Sequence, residues 1–75
     1  MRAYVLVNVR GGEGGGIARE LQGTPGVLRA NYVFGTYDVI VEVEAKDVAS
    51  IGRLVFEGIR CLPGVIDTQT CLAIE

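Results

Sequence analysis

VLRANYVFGTYDVIVEVE, residues 27–44, reads as two strands joined by a turn. Side chains of a strand alternate between its faces, and Val27 to Phe34 sets Leu28, Ala30, Tyr32 and Phe34 against Val27, Arg29, Asn31 and Val33. Tyr37 to Glu44 places Tyr37, Val39, Val41 and Val43 on an apolar face, and Asp38, Ile40, Glu42 and Glu44 on a mostly acidic one. Between them, Gly35-Thr36 predicts the tight turn of a β-hairpin, with Gly35 supplying backbone freedom.

The flanks of this hairpin mirror each other. Upstream, Ile17, Ala18 and Leu21 form a short helical stripe that Gly23 stops and Pro25 closes off. Arg10 to Gly16 (RGGEGGG) is a breaker-rich connection, preceded by a β-branched strand over Ala3 to Val9. Downstream, Asp47 is a natural helix N-cap. Behind it Val48, Ile51, Leu54, Val55, Ile59 and Leu62 recur at helical spacing, up to Pro63-Gly64. Val65 to Ile74 is the last strand. Each half therefore runs strand, helix, Pro-Gly-Val, strand, with Pro25-Gly26-Val27 matched by Pro63-Gly64-Val65. This β-α-β-β-α-β order is the plan of an α+β, ferredoxin-like sandwich: one four-stranded antiparallel sheet with two helices on one face. The other face is left bare and carries Tyr4, Leu6 and Ile40, an apolar patch that a second copy would cover by packing sheet on sheet.

Composition narrows the function. At 75 residues the chain is one domain and is expected to bury only roughly 60% of its unfolded surface, so self-association is the expected source of extra stability. It has no histidine, and its two cysteines, Cys61 and Cys71, do not form a CxxC pair, so neither a metal nor any other cofactor is expected. A Cys61–Cys71 disulfide stays open as an alternative to the favoured reading: reduced, core-facing thiols in a cytoplasmic protein. The net charge is −2 and there is a single lysine, Lys46, so the clustered cations that bind a phosphate backbone are missing. No apolar run reaches bilayer-spanning length. Neither nucleic acid nor membrane is an expected partner.

Catalytic patterns fail one by one. Gly11 and Gly16 have the glycine spacing of a phosphate loop, but Ile17 and Ala18 stand where Lys and Ser/Thr are required. Arg10 sits where a phosphatase of this fold plan needs an arginine, yet Asn31, inside a strand, is no convincing partner for it. Without histidine there is no triad, and neither cysteine has an activating base. Asp38, Glu42 and Glu44 read as a solvated acidic edge. The segment Phe34-Gly35-Thr36-Tyr37-Asp38 is more informative. It offers backbone N–H groups for an α-carboxylate and Asp38 for an ammonium, although a plain turn with a self-satisfied aspartate fits equally well. Thr68 and Thr70 share one face of the last strand, either as ordinary strand residues or as the lining of a polar pocket.

Taken in order, Pro25-Gly26-Val27, Gly35-Thr36-Tyr37-Asp38, Pro63-Gly64-Val65 and Thr68-Gln69-Thr70 resemble the C-terminal effector-binding domain (RAM domain) of Lrp/AsnC transcriptional regulators, across about Tyr4 to Ile74. The resemblance implies dimers through the sheets, rings of dimers, and a small effector, usually an amino acid, bound where dimers meet. It implies ligand-binding roles for Gly35, Thr36, Tyr37 and Asp38, and less directly for Thr68 and Thr70. It implies no catalysis. Residues 1–75 then form a single ligand-binding domain without the family's helix-turn-helix, and Met1 points to a stand-alone sensor that works by co-assembly with full-length regulators. Competing readings are a dimeric ferredoxin-like α/β-barrel enzyme, an ACT-type amino-acid-binding domain, whose Pro-Gly typically follows the first strand, and a purely structural oligomerisation module.

Overall fold

Strand β1, Arg2–Val9, is the centre of the molecule. Its odd positions Ala3, Val5 and Val7 have no exposed surface, while Tyr4, Leu6 and Asn8 point the other way. The computed structural model covers residues 1–75 and orders the sheet β2-β3-β1-β4, with β2 at Val27–Tyr32, β3 at Val39–Glu44 and β4 at Val65–Leu72, all pairs antiparallel. Val5 pairs with Val41 and Thr70, and Ala30 with Val41, so these residues line one face. Helices α1, Gly14–Gln22, and α2, Val48–Leu54, cover that face, and Ile17, Ala18, Leu21, Ile51, Val55 and Ile59 join the strand valines in one core. Fully burying one such side chain contributes about 1.5–3 kcal/mol, which is why this stripe outweighs the five glycines in the first loop and helix.

Several boundaries depart from the sequence reading. Helix α1 begins at Gly14, inside the expected connection. No side chain caps it, and the ring of Tyr32 lies against Gly14 so closely that a Cβ would collide with it. Helix α2 starts as expected, with the Asp47 carboxylate accepting the Ser50 N–H at 2.8 Å. It then widens into a π-helical turn, Val55–Ile59, in which the Arg60 N–H donates to the Val55 carbonyl at 2.8 Å. Val48, assigned to the core stripe by spacing, is largely exposed. So is Leu28: the register of β2 shifts between Val27 and Arg29, and the bulge takes Leu28 out of the alternation that buries Ala30. Strand β4 ends at Leu72, two residues early. Both cysteines are free and exposed, not core-facing. Cys61 lies beyond the π turn and its thiol meets the Glu57 carbonyl, whereas Cys71 pairs with Tyr4 and so faces the open side of the sheet.

Candidate effector site and the open sheet face

Strands β2 and β3 are joined by six residues, 33–38, not by a two-residue turn. The positive-φ glycines are Gly12, Gly26 and Gly64, so Gly35 does not use the left-handed freedom expected of it. Asp38 does the folding instead. Its carbonyl accepts the Val33 N–H at 2.8 Å, its own N–H donates to the Val7 carbonyl at 2.9 Å, and its Oδ2 accepts the Val9 N–H at 2.9 Å. The loop is thereby laid over the end of β1. Tyr37 continues across, and its hydroxyl donates to Gln69 Oε1 on β4 at 2.8 Å.

This anchoring leaves the rest of the loop unspent. Phe34, Gly35 and Thr36 are exposed, and the N–H groups of Gly35, Thr36 and Tyr37 donate to nothing in the chain. The second oxygen of Asp38 also has no partner. Free donors for an anion and a free acceptor for a cation thus stand within four consecutive residues. Of the six residues singled out from sequence, the fold brings these four, Gly35 to Asp38, together. Thr68 and Thr70 are elsewhere: they pair with Val7 and Val5 and lie on the helix-covered side, while Gln69 between them faces Tyr37. Gln69 was invisible to sequence reasoning because only the crossing of Tyr37 over β1 makes it a neighbour.

The open sheet face is less apolar than expected. Tyr4, Leu6 and Ile40 are present, but Glu42 sits among them with its side chain only 8% exposed. It accepts from Arg2 Nη1 at 2.8 Å through Oε2, and from Arg29 Nε at 2.8 Å through Oε1. The acid expected in a solvated edge is therefore enclosed by two cations from β1 and β2, which sequence-distant pairing alone could place there. The hydrogen bond from Arg2, with that from Arg29 and the attraction of both charges, holds the Glu42 carboxyl below its usual range against the opposing effect of burial. The same contact, with Tyr4, raises Arg2. Together with Asn31, these residues wall a hollow of about 300 Å³. No cluster of three His, Cys, Asp or Glu side chains exists to hold a metal, and no helix is long and apolar enough to cross a membrane.

A ferredoxin-like sheet thus presents one open face, with a loop of unspent amides at its end. The sequence model of the Lrp/AsnC ligand binding domain matches residues 2–75, and the chain belongs to that family. It is 37% identical over 59 residues to a homocitrate synthase of Sulfurisphaera tokodaii, covering 79% of this chain and 13% of that one. It is 30% identical over 57 residues to an uncharacterised HTH-type transcriptional regulator of Pyrococcus furiosus, covering 76% of this chain and 38% of that one. The chain thus spans well under half the length of these curated relatives. Among solved structures, TTHA0845 from Thermus thermophilus superimposes with a TM-score of 0.91 at 34% identity, over 99% of this chain and 92% of that one. A Neisseria meningitidis transcriptional regulator in complex with L-Met shares the fold, with a TM-score of 0.86 at 20% identity, over 99% of this chain and 49% of that one.

Proposed function

We propose that this domain binds an amino acid with the Gly35–Asp38 loop, between copies of itself, and couples that binding to assembly. The observation that carries this reading is the loop's inventory: three unspent N–H groups beside a half-free carboxylate. An α-carboxylate takes the donors, and an α-ammonium takes Asp38. Thr68 and Thr70 then contribute from a neighbouring copy, since their own loop faces away from them. The L-Met complex of a regulator with this fold supports the ligand class. The open sheet face supports a dimer, sheet on sheet: Tyr4, Leu6 and Ile40 gain burial, and Glu42 is already neutralised. The role is regulatory binding without catalysis. With a net charge of −2, the domain itself offers little to a phosphate backbone, and it acts by assembling with Lrp/AsnC regulators in the cytoplasm. An effector that prefers one assembly state shifts the population toward it.

The homocitrate synthase match favours one second reading, in which the module reports amino-acid levels to an enzyme instead of a transcription factor. Both readings share the same binding step. The test is light scattering and calorimetry with a panel of the common amino acids. One amino acid should bind and move the solution mass. Asp38→Asn keeps an acceptor for the Val9 N–H but loses the charge that meets the ammonium, so it should weaken binding with the loop in place; Asp38→Ala should weaken it further. Unchanged affinity in both variants removes Asp38 from the site, and a domain that binds no amino acid removes the reading.

A further inference from the structure

The open sheet face is not electrically neutral around Glu42. Two cations, Arg2 and Arg29, converge on this one carboxylate, so the cluster carries one positive charge in excess. Strand register sets it up: Glu42 pairs with Arg29 on one side and Tyr4 on the other, and Asn31 pairs with Ile40 two residues along. These six residues wall the hollow of about 300 Å³ toward the β2 edge of the face. The two arginines are spent differently. Arg2 donates from Nη1 to Glu42 Oε2 at 2.8 Å and to the Tyr4 hydroxyl at 3.3 Å, and from Nη2 to the Glu75 carbonyl at 3.3 Å. Arg29 donates only from Nε, to Glu42 Oε1 at 2.8 Å. Both of its Nη groups donate to nothing in the chain, and its side chain is 67% exposed. Asn31 is exposed beside it.

We propose that this hollow binds a small organic acid that carries no amino group. Held through Nε, Arg29 presents its Nη1/Nη2 edge as a two-pronged donor, which matches the two oxygens of a carboxylate. The Asn31 amide adds a further donor. Ile40 and the Tyr4 ring supply an apolar wall for a short hydrocarbon body, and the volume stands at the small end of ligand sites, which begin at about 300 Å³. An α-ammonium is refused. Both Glu42 oxygens already accept from arginines, and the excess positive charge repels another cation. The Gly35–Asp38 loop has the reverse preference, since Asp38 keeps one oxygen free for an ammonium. One domain thus carries two sites of opposite selectivity, one for amino acids and one for acids that lack the amine.

The hollow and the loop share no residue, so this inference can fail while amino-acid binding by the loop stands, and the reverse. The probe is isocaproate, the chain of leucine without its amino group. In two-dimensional NMR of the isotope-labelled protein, with sodium chloride holding the ionic strength constant, isocaproate should shift the amide signals of Arg29, Asn31 and Ile40 saturably and leave those of Gly35 to Asp38 in place. Leucine should leave the Arg29 and Asn31 signals unmoved. Arg29→Lys keeps the charge but loses the fork, so it should weaken isocaproate about tenfold, and Arg29→Gln should weaken it on the order of a hundredfold. Both variants change an exposed side chain, and the dispersion of the same spectra reports that they fold. Shifts that never saturate, shifts at the loop in place of the hollow, equal affinity for leucine, or wild-type affinity in Arg29→Gln overturns the proposal. Inorganic phosphate that binds as tightly as isocaproate shows that any anion serves, and overturns the assignment to an organic acid.

Discussion

Leu21→Ala and Leu28→Ala make the same chemical change at a buried and at a half-exposed position. Leu21 on α1 has no exposed surface and packs within the single core. Removing its three outer carbons forfeits about 2.4 kcal/mol of transfer free energy at ~0.8 kcal/mol per methylene. The walls around it are strands fixed by their ladders, so they collapse only partly, and the residual cavity raises the total to about 3–5 kcal/mol. A domain of this length has only about 4–11 kcal/mol of stability to lose. Leu28 is 49% exposed on the β2 bulge, so about half the transfer term applies and no closed cavity forms, giving about 1 kcal/mol. Urea titration at fixed protein concentration reads both values, and an unchanged m-value shows that the unfolded state is unaltered. In a thermal scan, Leu21→Ala should lower Tm by about 12–40 °C and Leu28→Ala by about 4–8 °C. Equal losses at the two sites would refute the bulge, and a loss below about 1 kcal/mol at Leu21 would refute the packing of α1 on the sheet.

Acid should weaken the native fold through Glu42. Its folded pKa lies below its unfolded value, so its contribution is complete above the ordinary glutamate range and is lost as pH falls through the lowered pKa; comparing urea midpoints from pH 6 downward should show this loss in the wild type and its absence in Glu42→Gln. Gly26 has φ +92, and a Cβ there would stand 2.9 Å from Leu54 Cδ2, so Gly26→Ala should cost more than about 1 kcal/mol by urea melt. Gly52→Ala, in open space on α2, should instead stabilise by about 0.5–1 kcal/mol. Cysteine labelling under native conditions reads the assembly. Cys61, outside the open face, should react at once, whereas Cys71 beside Tyr4 should become slow as rising protein concentration drives the sheets together; equal rates at all concentrations would count against a sheet-to-sheet dimer.

The order of elements, the fold class and most of the core were determined by the sequence, because each rests on short-range periodicity. Val39, Val41 and Val43 alternate, Ile17, Ala18 and Leu21 recur at helical spacing, and all are buried. Asp47 capped the helix it was expected to cap. The chain's kinship was legible for a similar reason: the two Pro-Gly-Val segments and the Gly-Thr-Tyr-Asp loop keep their spacing along the chain. Departures came where a contact distant in sequence overrode a local preference. Gly14 to Gly16 became helix because Tyr32 and the core stripe hold that turn against the sheet, despite glycine's poor propensity. Gly35 lost its hairpin role to Asp38, whose bonds to Val7 and Val9 cross about thirty residues of chain. Glu42 left solvent because β1 and β2 each delivered an arginine to it, and Leu28 left the face it was expected to share with Ala30 because the register shifts between Val27 and Arg29. Residue spacing decides which side chains share a face of one element. Strand pairing alone decides which faces meet, and therefore sets Tyr37 beside Gln69 and Thr68 and Thr70 on the helix-covered side of the sheet.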